Sequence, residues 1–348
     1  MPVPSCGGLP EPWLMSHVML RSPADVIAAV PYLFGFHPAD SLVLLAFHGK
    51  RIVFQARADL LPASDVEGVE AVGARLAAIT SRSGPAGVIL IGYGPEPAVL
   101  PLVGSVGSGL ASHQIPVLSV LRVDGGRYRE MLCDNPVCCP PEGVPFDPAT
   151  TQIAASATFA GLVVHPDRAA LAATIDPVAG AGIEPEIAAA LDRLAALPGG
   201  QRGLRTAVRT AVRQAFERYM NGGRLDDDEV AWLAVLLSDV VLRDDTWSRL
   251  VAGRSVPAHE EIWRDLVRRV PRRYVPAPAT LLALVAWRTG SGVLAEMAAE
   301  RALEADPAYR LAQLVLHAMR NGLPPTALDG RPERRLRRRR VPRVSEAA

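Results

Sequence analysis

The spacing of apolar residues along the chain changes near residue 150. Before that point, the first clear patterns are typical of β-strands. Residues 42–45 are apolar without interruption, which is typical of a strand buried on both faces. A tight turn at Gly49 and Lys50 follows, and residues 52–60 then alternate between apolar and polar side chains. That alternation predicts an antiparallel strand with one covered face.

Two helices and further strands complete the predicted first half. Apolar residues at helical spacing between 66 and 79 predict a helix, and the apolar run 87–91 predicts a buried strand. A helix rich in small residues comes next, and residues 115–123 and 127–132 predict a hairpin. The order β-β-α-β-α-β-β predicts an α/β N-terminal domain with a mixed sheet and helices packed against it.

Beyond residue 150 the apolar positions keep a helical period, so the second half is predicted to be an all-α domain. Its end, from Trp287 to Tyr309, resembles one unit of a tetratricopeptide-type (TPR-like) helix hairpin. A repeat array would show another copy about 34 residues away. The sequence holds one copy, so we predict a single TPR-like helix hairpin.

These patterns predict four segments along the chain. Residues 1–20 form an N-terminal extension, 21–165 the α/β domain, 166–326 the helical domain and 327–348 a disordered, arginine-rich tail. The whole chain has a net charge of +1, whereas residues 331–348 hold eight arginines and two glutamates, so residues 1–330 carry −5. Any binding of nucleic acid or of an acidic partner by charge alone is therefore expected from the tail.

Composition narrows the class of protein. A hydrophobic fraction of 49% and a charged fraction of 21% exclude a wholly disordered chain. The first 20 residues lack the basic and apolar regions of a signal peptide, and no apolar run approaches the roughly 18 residues of a membrane span. Four cysteines are too few for a disulfide-dense secreted fold. We expect a cytoplasmic protein with no membrane partner.

The first candidate site is a turn at the start of the first buried strand. Residues 35–38 lead into the turn, and His37, Asp40 and Ser41 are residue types used in acid–base and nucleophilic catalysis. A catalytic arrangement is defined by geometry rather than by spacing. The alternative is structural: Asp40 and Ser41 hydrogen-bond the backbone of the turn, and His37 caps it.

Arg57, Asp59 and Tyr93 are candidate ligand-binding residues. Arg57 and Asp59 share the polar face of the alternating strand, where they form either a structural ion pair or the lining of a pocket. Tyr93 is predicted to lie in the strand-to-helix turn where the crevice of an α/β sheet opens. Glu96, at the start of the next helix, opposes an anion, so phosphate binding is not expected there.

Cys133, Cys138 and Cys139 are candidate metal ligands in a loop after the last predicted strand. Their spacing falls within the loose range of zinc ligands, but a structural site has four ligands and the sequence shows no second ligand pair. We therefore predict no cofactor and keep zinc as an alternative. Buried structural thiols and a disulfide are the other interpretations, although a reducing cytoplasm disfavours the disulfide.

Several short strings relate the chain to a known family. They lie at residues 21–25, 31–43, 57–60, 138–143, 241–247 and 287–325. The most specific are Gly35-Phe36-His37-Pro38 and the Cys-Cys-Pro-Pro-Glu-Gly string at 138–143. On these strings the chain resembles the actinobacterial family called domain of unknown function 4192, over roughly residues 20–325. The resemblance implies a bacterial cytoplasmic protein with the two-part layout; the family has no assigned activity, so it implies no reaction.

The function we expect is that of a non-catalytic ligand-binding or regulatory protein. An α/β module with a shallow crevice would be joined to a helical domain that interacts with a protein partner. One alternative is an enzyme, such as a hydrolase that uses His37, Asp40 and Ser41. A second alternative is an electrostatic nucleic-acid binder that acts through the C-terminal tail.

Overall fold

The structure is a computed structural model that describes residues 13–15, 18–20, 22–180, 182–252 and 256–325. The predicted tail and most of the predicted N-terminal extension lie outside these residues. In the described part, a mixed sheet with helices is followed by a mostly helical region. This arrangement confirms the two-part layout at the level of an α/β half followed by a helical half.

Among the described residues of the first half, eight strands form one sheet. They are β1 (Trp13–Met15), β2 (Val18–Leu20), β3 (Ser41–His48), β4 (Arg51–Asp59), β5 (Gly87–Tyr93), β6 (Val117–Asp124), β7 (Arg127–Glu130) and β8 (Val144–Pro145). Their order across the sheet is β2-β1-β4-β3-β5-β6-β7-β8. The pairs β1–β4 and β5–β6 are parallel and the other neighbours are antiparallel, so the sheet is mixed. β3 and β5 lie at its centre and are buried almost throughout, which explains their unbroken apolar runs.

Three helices pack on this sheet: α1 (Pro23–Phe34), α2 (Val66–Ser81) and α3 (Glu96–Ser112). The predicted order of elements omitted α1, together with the short strands β1, β2 and β8. Ser22 and Asp25 form a capping box at the start of α1, and Gly35, in the left-handed region at φ 82°, ends it. Residues 26–31 of α1 are all buried, so its hydrophobic pattern has no polar face to mark a helical period.

The two faces of the sheet have different partners. Successive residues of a strand point to opposite faces. Val43 and Leu45 of β3 belong to a core that contains α1 and continues into the helical region, whereas Leu42 and Leu44 belong to a core with α2 and α3. The predicted boundary between residues 165 and 166 therefore crosses a continuous hydrophobic core.

Ten α-helices lie in the part of the second half that the structure describes. They are α4 (Gln152–Phe159), α5 (Arg168–Ala173), α6 (Glu184–Ala195), α7 (Gly200–Met220), α8 (Asp227–Leu237), α9 (Val240–Ala252), α10 (Val256–Arg269), α11 (Pro276–Arg288), α12 (Gly292–Ala305) and α13 (Arg310–Arg320). α11 is buried from Pro276 to Trp287 and forms the centre of this half. The side-chain amide of Gln55 on β4 donates to the backbone oxygen of Gly290, at 3.1 Å, and so ties the end of α11 to the sheet.

A buried arginine connects α9 to the segment before α13. Arg243 has only 7% of its surface exposed, and its Nη1 donates to the hydroxyl of Tyr309 at 2.6 Å. The guanidinium also lies 5.2 Å from the centre of the tyrosine ring and pairs with Asp244 at 2.7 Å. Both partners are therefore needed to compensate the burial of this charge.

Candidate functional site

One end of the sheet brings several of the candidate residues together. Ser41 on β3 pairs directly with Asp59 on β4 and with Tyr93 on β5. Residues paired directly across antiparallel strands point to the same face, and Arg57, two residues before Asp59, points to that face too. This is the face that α1 covers. We call Ser41, Arg57, Asp59 and Tyr93 the strand-end cluster.

Ser41 is fully buried, and its Oγ has no hydrogen-bond partner among the described residues. Neither His37 nor the backbone of the preceding turn reaches this oxygen within hydrogen-bond distance. A buried hydroxyl without a partner costs about 1–3 kcal/mol. The catalytic hypothesis placed a nucleophile here, and the described arrangement contains no base in contact with it.

His37 and Asp40 shape the turn before β3 through their backbones. His37 is exposed, and its N–H donates to the backbone oxygen of His165 at 3.1 Å. The N–H of His165 in turn donates to the oxygen of Gly35 at 2.8 Å. Asp40 is exposed and lies in the left-handed region at φ 43°, and its backbone oxygen accepts from the N–H of Leu60 at 2.9 Å. The turn is therefore held by main-chain hydrogen bonds to two distant segments.

Arg57 is the most strongly contacted member of the strand-end cluster. Its Nη2 lies 2.8 Å from the Asp59 carboxylate and donates to the oxygen of Ala39 at 3.2 Å. Its guanidinium carbon lies 5.6 Å from the centre of the Phe36 ring, and its side chain is 12% exposed, against 75% for Asp59. The Nε of Arg57 is buried and has no hydrogen-bond partner in the described part of the chain. The expected ion pair is therefore present, and one donor of the same guanidinium is left unpaired there.

Tyr93 is the last residue of β5 rather than part of the following turn, which begins at Gly94 with φ 138°. Its side chain is buried, and the hydroxyl has no partner among the described residues. Burial raises the pKa of Tyr93 well above its ordinary value. The hydroxyl therefore stays neutral and can both donate and accept a hydrogen bond.

The cysteine loop is the second place where the structure assembles candidate residues. Cys133, Cys138 and Cys139 lie between β7 and β8, and their Sγ atoms are all within 4.8 Å of one another. The Sγ atoms of Cys133 and Cys138 are 3.8 Å apart, and Cys138 takes part in a disulfide bond. Burial, followed by a hydrogen bond to Cys133, raises the pKa of Cys139 to about 11. Without a metal ion, Cys139 is therefore a thiol at neutral pH.

Two adjoining cavities on the surface of α7 were not predicted from the sequence. One of about 510 Å³ lies between α6, α7 and α8, and one of about 430 Å³ lies towards the end of α7; both are lined by Gln214. In the first, the guanidinium of Arg193 lies 4.2 Å from the centre of the Trp232 ring. Only the packing of three helices creates this surface, so periodicity along α7 could not indicate it.

Fold and site together define the class: a protein with a doubly covered mixed sheet, a helical region that shares its core, and a polar cluster at one end of the central strands. The model of the family described as Domain of unknown function (DUF4192) matches residues 23–326. The chain belongs to this family, which confirms the resemblance carried by the sequence strings. No curated protein and no solved structure matches the chain. None of the described helices has the length and apolar character needed to cross a membrane.

Proposed function

We propose that the protein binds a small polar ligand at the strand-end cluster and catalyses no reaction on it. One observation carries the proposal: Ser41 Oγ, Tyr93 Oη and Arg57 Nε are buried and unpartnered on three adjacent strands. They are three of ten such side-chain atoms among the described residues, gathered at one end of one sheet. Because buried polar groups in folded proteins nearly always have a partner, these three call for a bound molecule.

The groups present define the chemistry of the ligand. The charge of Arg57 is already compensated by Asp59 at 2.8 Å, so no unbalanced positive charge is left to attract an anion. The hydroxyls of Ser41 and Tyr93 both donate and accept, and Arg57 Nε only donates. An uncharged molecule with hydroxyl or carbonyl groups fits this set. Asp59 is the exposed member of the cluster, so we expect the ligand to enter beside it.

The absence of catalysis in this proposal rests on the geometry of the nucleophile. A serine is activated by a base within hydrogen-bond reach. His37 is exposed, and its contact with the rest of the chain is made by its backbone N–H. The hydrolase alternative requires the imidazole of His37 to reach Ser41 Oγ when a substrate binds.

A second part of the proposal concerns the helical region, which we propose to be an interaction domain with a TPR-like hairpin near its end. The stretch predicted for this hairpin, Trp287 to Tyr309, covers the end of α11 and all of α12. The larger cavity along α7 supports a protein partner there, because the guanidinium of Arg193 covers the buried ring of Trp232 beside small side chains of α7. The alternative of nucleic-acid binding concerns the tail, which lies outside the described residues. That alternative predicts that truncation at residue 330 abolishes all affinity for nucleic acid.

The ligand proposal is tested by thermal-shift screening of uncharged polar metabolites against four forms of the full chain: wild type, Tyr93→Phe, Tyr219→Phe and His37→Ala. Tyr219→Phe is the matched control, since it removes a hydroxyl that is bonded to Asp265 at 2.5 Å in the helical region. We expect a ligand that raises the melting temperature of all forms except Tyr93→Phe.

Two results would contradict the proposal. One is a screen in which no compound stabilises the wild type, or in which Tyr93→Phe responds as strongly as Tyr219→Phe. The other is turnover: a compound that the wild type hydrolyses and His37→Ala does not would favour the enzyme alternative.

A further inference from the structure

The cysteine loop is built to hold its three sulfurs in place. At its start, the carboxylate of Glu130 accepts from the N–H of Leu132 at 3.2 Å and from the N–H of Val120 on β6 at 3.0 Å. Ser119 on β6 donates to the other carboxylate oxygen of Glu130. The first residues of the loop are therefore fixed to the sheet by a carboxylate whose two oxygens are both occupied.

The middle of the loop is organised around Asn135. Its side-chain oxygen accepts from the N–H of Val137 at 3.0 Å, and its backbone oxygen accepts from the N–H of Cys139 at 2.9 Å. The Sγ of Cys138 lies 3.6 Å from the same backbone oxygen. These bonds fold the chain back, so that the two adjacent cysteines face Cys133.

The end of the loop is fixed by Arg127 and Gly143. Arg127 donates from Nε to the oxygen of Glu142 at 2.8 Å and from Nη2 to the oxygen of Gly143 at 2.9 Å. Gly143 has φ 79°, and a Cβ there would lie 3.0 Å from the backbone oxygen of Tyr128. The position therefore requires glycine, which accounts for the end of the Cys-Cys-Pro-Pro-Glu-Gly string.

The distances between the sulfurs match a shared metal ion. Four thiolates at about 2.3 Å from a tetrahedral zinc ion lie roughly 3.8 Å from one another. The Sγ atoms of Cys133 and Cys138 are 3.8 Å apart, and all three sulfurs lie within 4.8 Å. A disulfide needs about 2.05 Å between its sulfurs, so Cys133 and Cys138 are not bonded to each other.

We propose that, in the reduced chain, Cys133, Cys138 and Cys139 bind one zinc ion that joins the loop to the β7–β8 edge of the sheet. Zinc is the chemical choice because three thiolates form a soft donor set and zinc accepts tetrahedral sulfur ligands. The disulfide at Cys138 has to be reduced first, since the thiolate is the ligand. Solvent completes the coordination, because the cluster offers three cysteine ligands.

The experiment measures metal content and affinity on the full chain. The protein is purified in the presence of a phosphine reductant, its zinc and iron are measured by mass spectrometry, and cobalt(II) is then added to the metal-free form. We expect about one zinc per chain and an intense thiolate-to-cobalt charge-transfer absorption. Loss of a residue that only hydrogen-bonds a metal ligand lowers metal affinity about 10–100-fold. Loss of a ligand itself should have a larger effect, so we expect each of Cys133→Ser, Cys138→Ser and Cys139→Ser to lower zinc affinity by at least about 100-fold.

Cys6→Ser serves as the comparison variant, because it removes a cysteine that is not part of the proposed site. We expect its zinc affinity to equal that of the wild type, and a loss as large as that of the loop variants would contradict a site completed by solvent. If the loop variants do not fold, removal of metal from the wild type with a chelator should lower its melting temperature reversibly. Little or no zinc in the reduced wild type together with no charge-transfer band would overturn the proposal, as would iron in place of zinc or loop variants with wild-type affinity.

Discussion

Removing the hydroxyl of Ser41 should stabilise the ligand-free protein. Ser41 lies on the central strand β3, is fully buried, and its Oγ has no hydrogen-bond partner among the described residues. The folded state therefore loses the hydrogen bonds of this group to water and gains none in return. Ser41→Ala removes that cost without changing the backbone.

The size of the effect follows from two opposing contributions. An unsatisfied buried hydroxyl costs about 1–3 kcal/mol. Deleting one oxygen atom also removes several close contacts of about 0.1–0.2 kcal/mol each, which offsets part of the gain. We expect the free energy of unfolding of Ser41→Ala to exceed that of the wild type by about 0.5–2 kcal/mol.

Ser119 provides a matched control on β6, within the same sheet. It is 2% exposed, and its Oγ donates to the carboxylate of Glu130. A hydrogen bond to a charged group contributes about 1.5–3 kcal/mol, so Ser119→Ala should lower the free energy of unfolding by about that amount. The same substitution thus has opposite signs at two buried serines of one sheet.

Urea denaturation of both variants, followed by far-ultraviolet circular dichroism, measures the two differences. The ligand-free state is secured by unfolding, extensive dialysis and refolding before the measurement. If Ser41→Ala lowers the free energy of unfolding by more than about 1 kcal/mol under these conditions, the hydroxyl has a bonded partner in the folded chain and the reasoning is refuted. The strand-end cluster would then have two unpartnered atoms rather than three among the described residues.

Three further predictions concern other parts of the fold. Burial lowers the pKa of His259, which stacks on Phe216, from 6.5 to about 4. The stability contributed by its neutral form is complete above pH 6.5, and the free energy of unfolding should fall by about 1–2 kcal/mol by pH 5. In urea denaturation, the free energy of unfolding of His259→Phe should change less between pH 7 and pH 5. A change as large as that of the wild type would contradict this prediction. Tyr309→Phe removes a hydrogen-bond acceptor from the buried guanidinium of Arg243 and should lower the free energy of unfolding, measured by urea denaturation, by about 1.5–3 kcal/mol. An unchanged free energy of unfolding would mean that water replaces the hydroxyl. Gly143 has φ 79°, so Gly143→Ala should lower the free energy of unfolding by about 1–3 kcal/mol and speed amide exchange in the cysteine loop. Unchanged stability and exchange would mean that the loop shifts to accommodate the added Cβ atom.

The elements that could be predicted are those in which burial follows a simple period. β3 is buried along almost all its length, β4 has one face better covered than the other, and the helices of the second half carry apolar stripes. α1 escaped prediction because six successive residues are buried, and a helix covered on all sides shows no amphipathic pattern. The strands β1, β2 and β8 have two or three residues each, which is too short for a period to be seen.

The candidate residues were identified by chemical type, and the structure decided which of them meet. His37 and Ser41 are four positions apart in sequence, yet one is exposed and the other fully buried. Ser41 and Tyr93 are 52 positions apart, yet they are direct neighbours because β3 pairs with β5. Side-chain type and spacing carry no information about that pairing.

By itself, the sequence determined the two-part layout, the family and the chemical types available, because hydrophobic period and short strings are local properties of a chain. Only the tertiary structure decided that Ser41, Arg57 and Tyr93 keep unpartnered polar atoms at one end of the sheet, and that three cysteine sulfurs lie within 4.8 Å. Both arrangements depend on strand register and on loop hydrogen bonds between distant residues. These are cooperative properties of the packed chain, in which each contact exists because the others hold its partners in place.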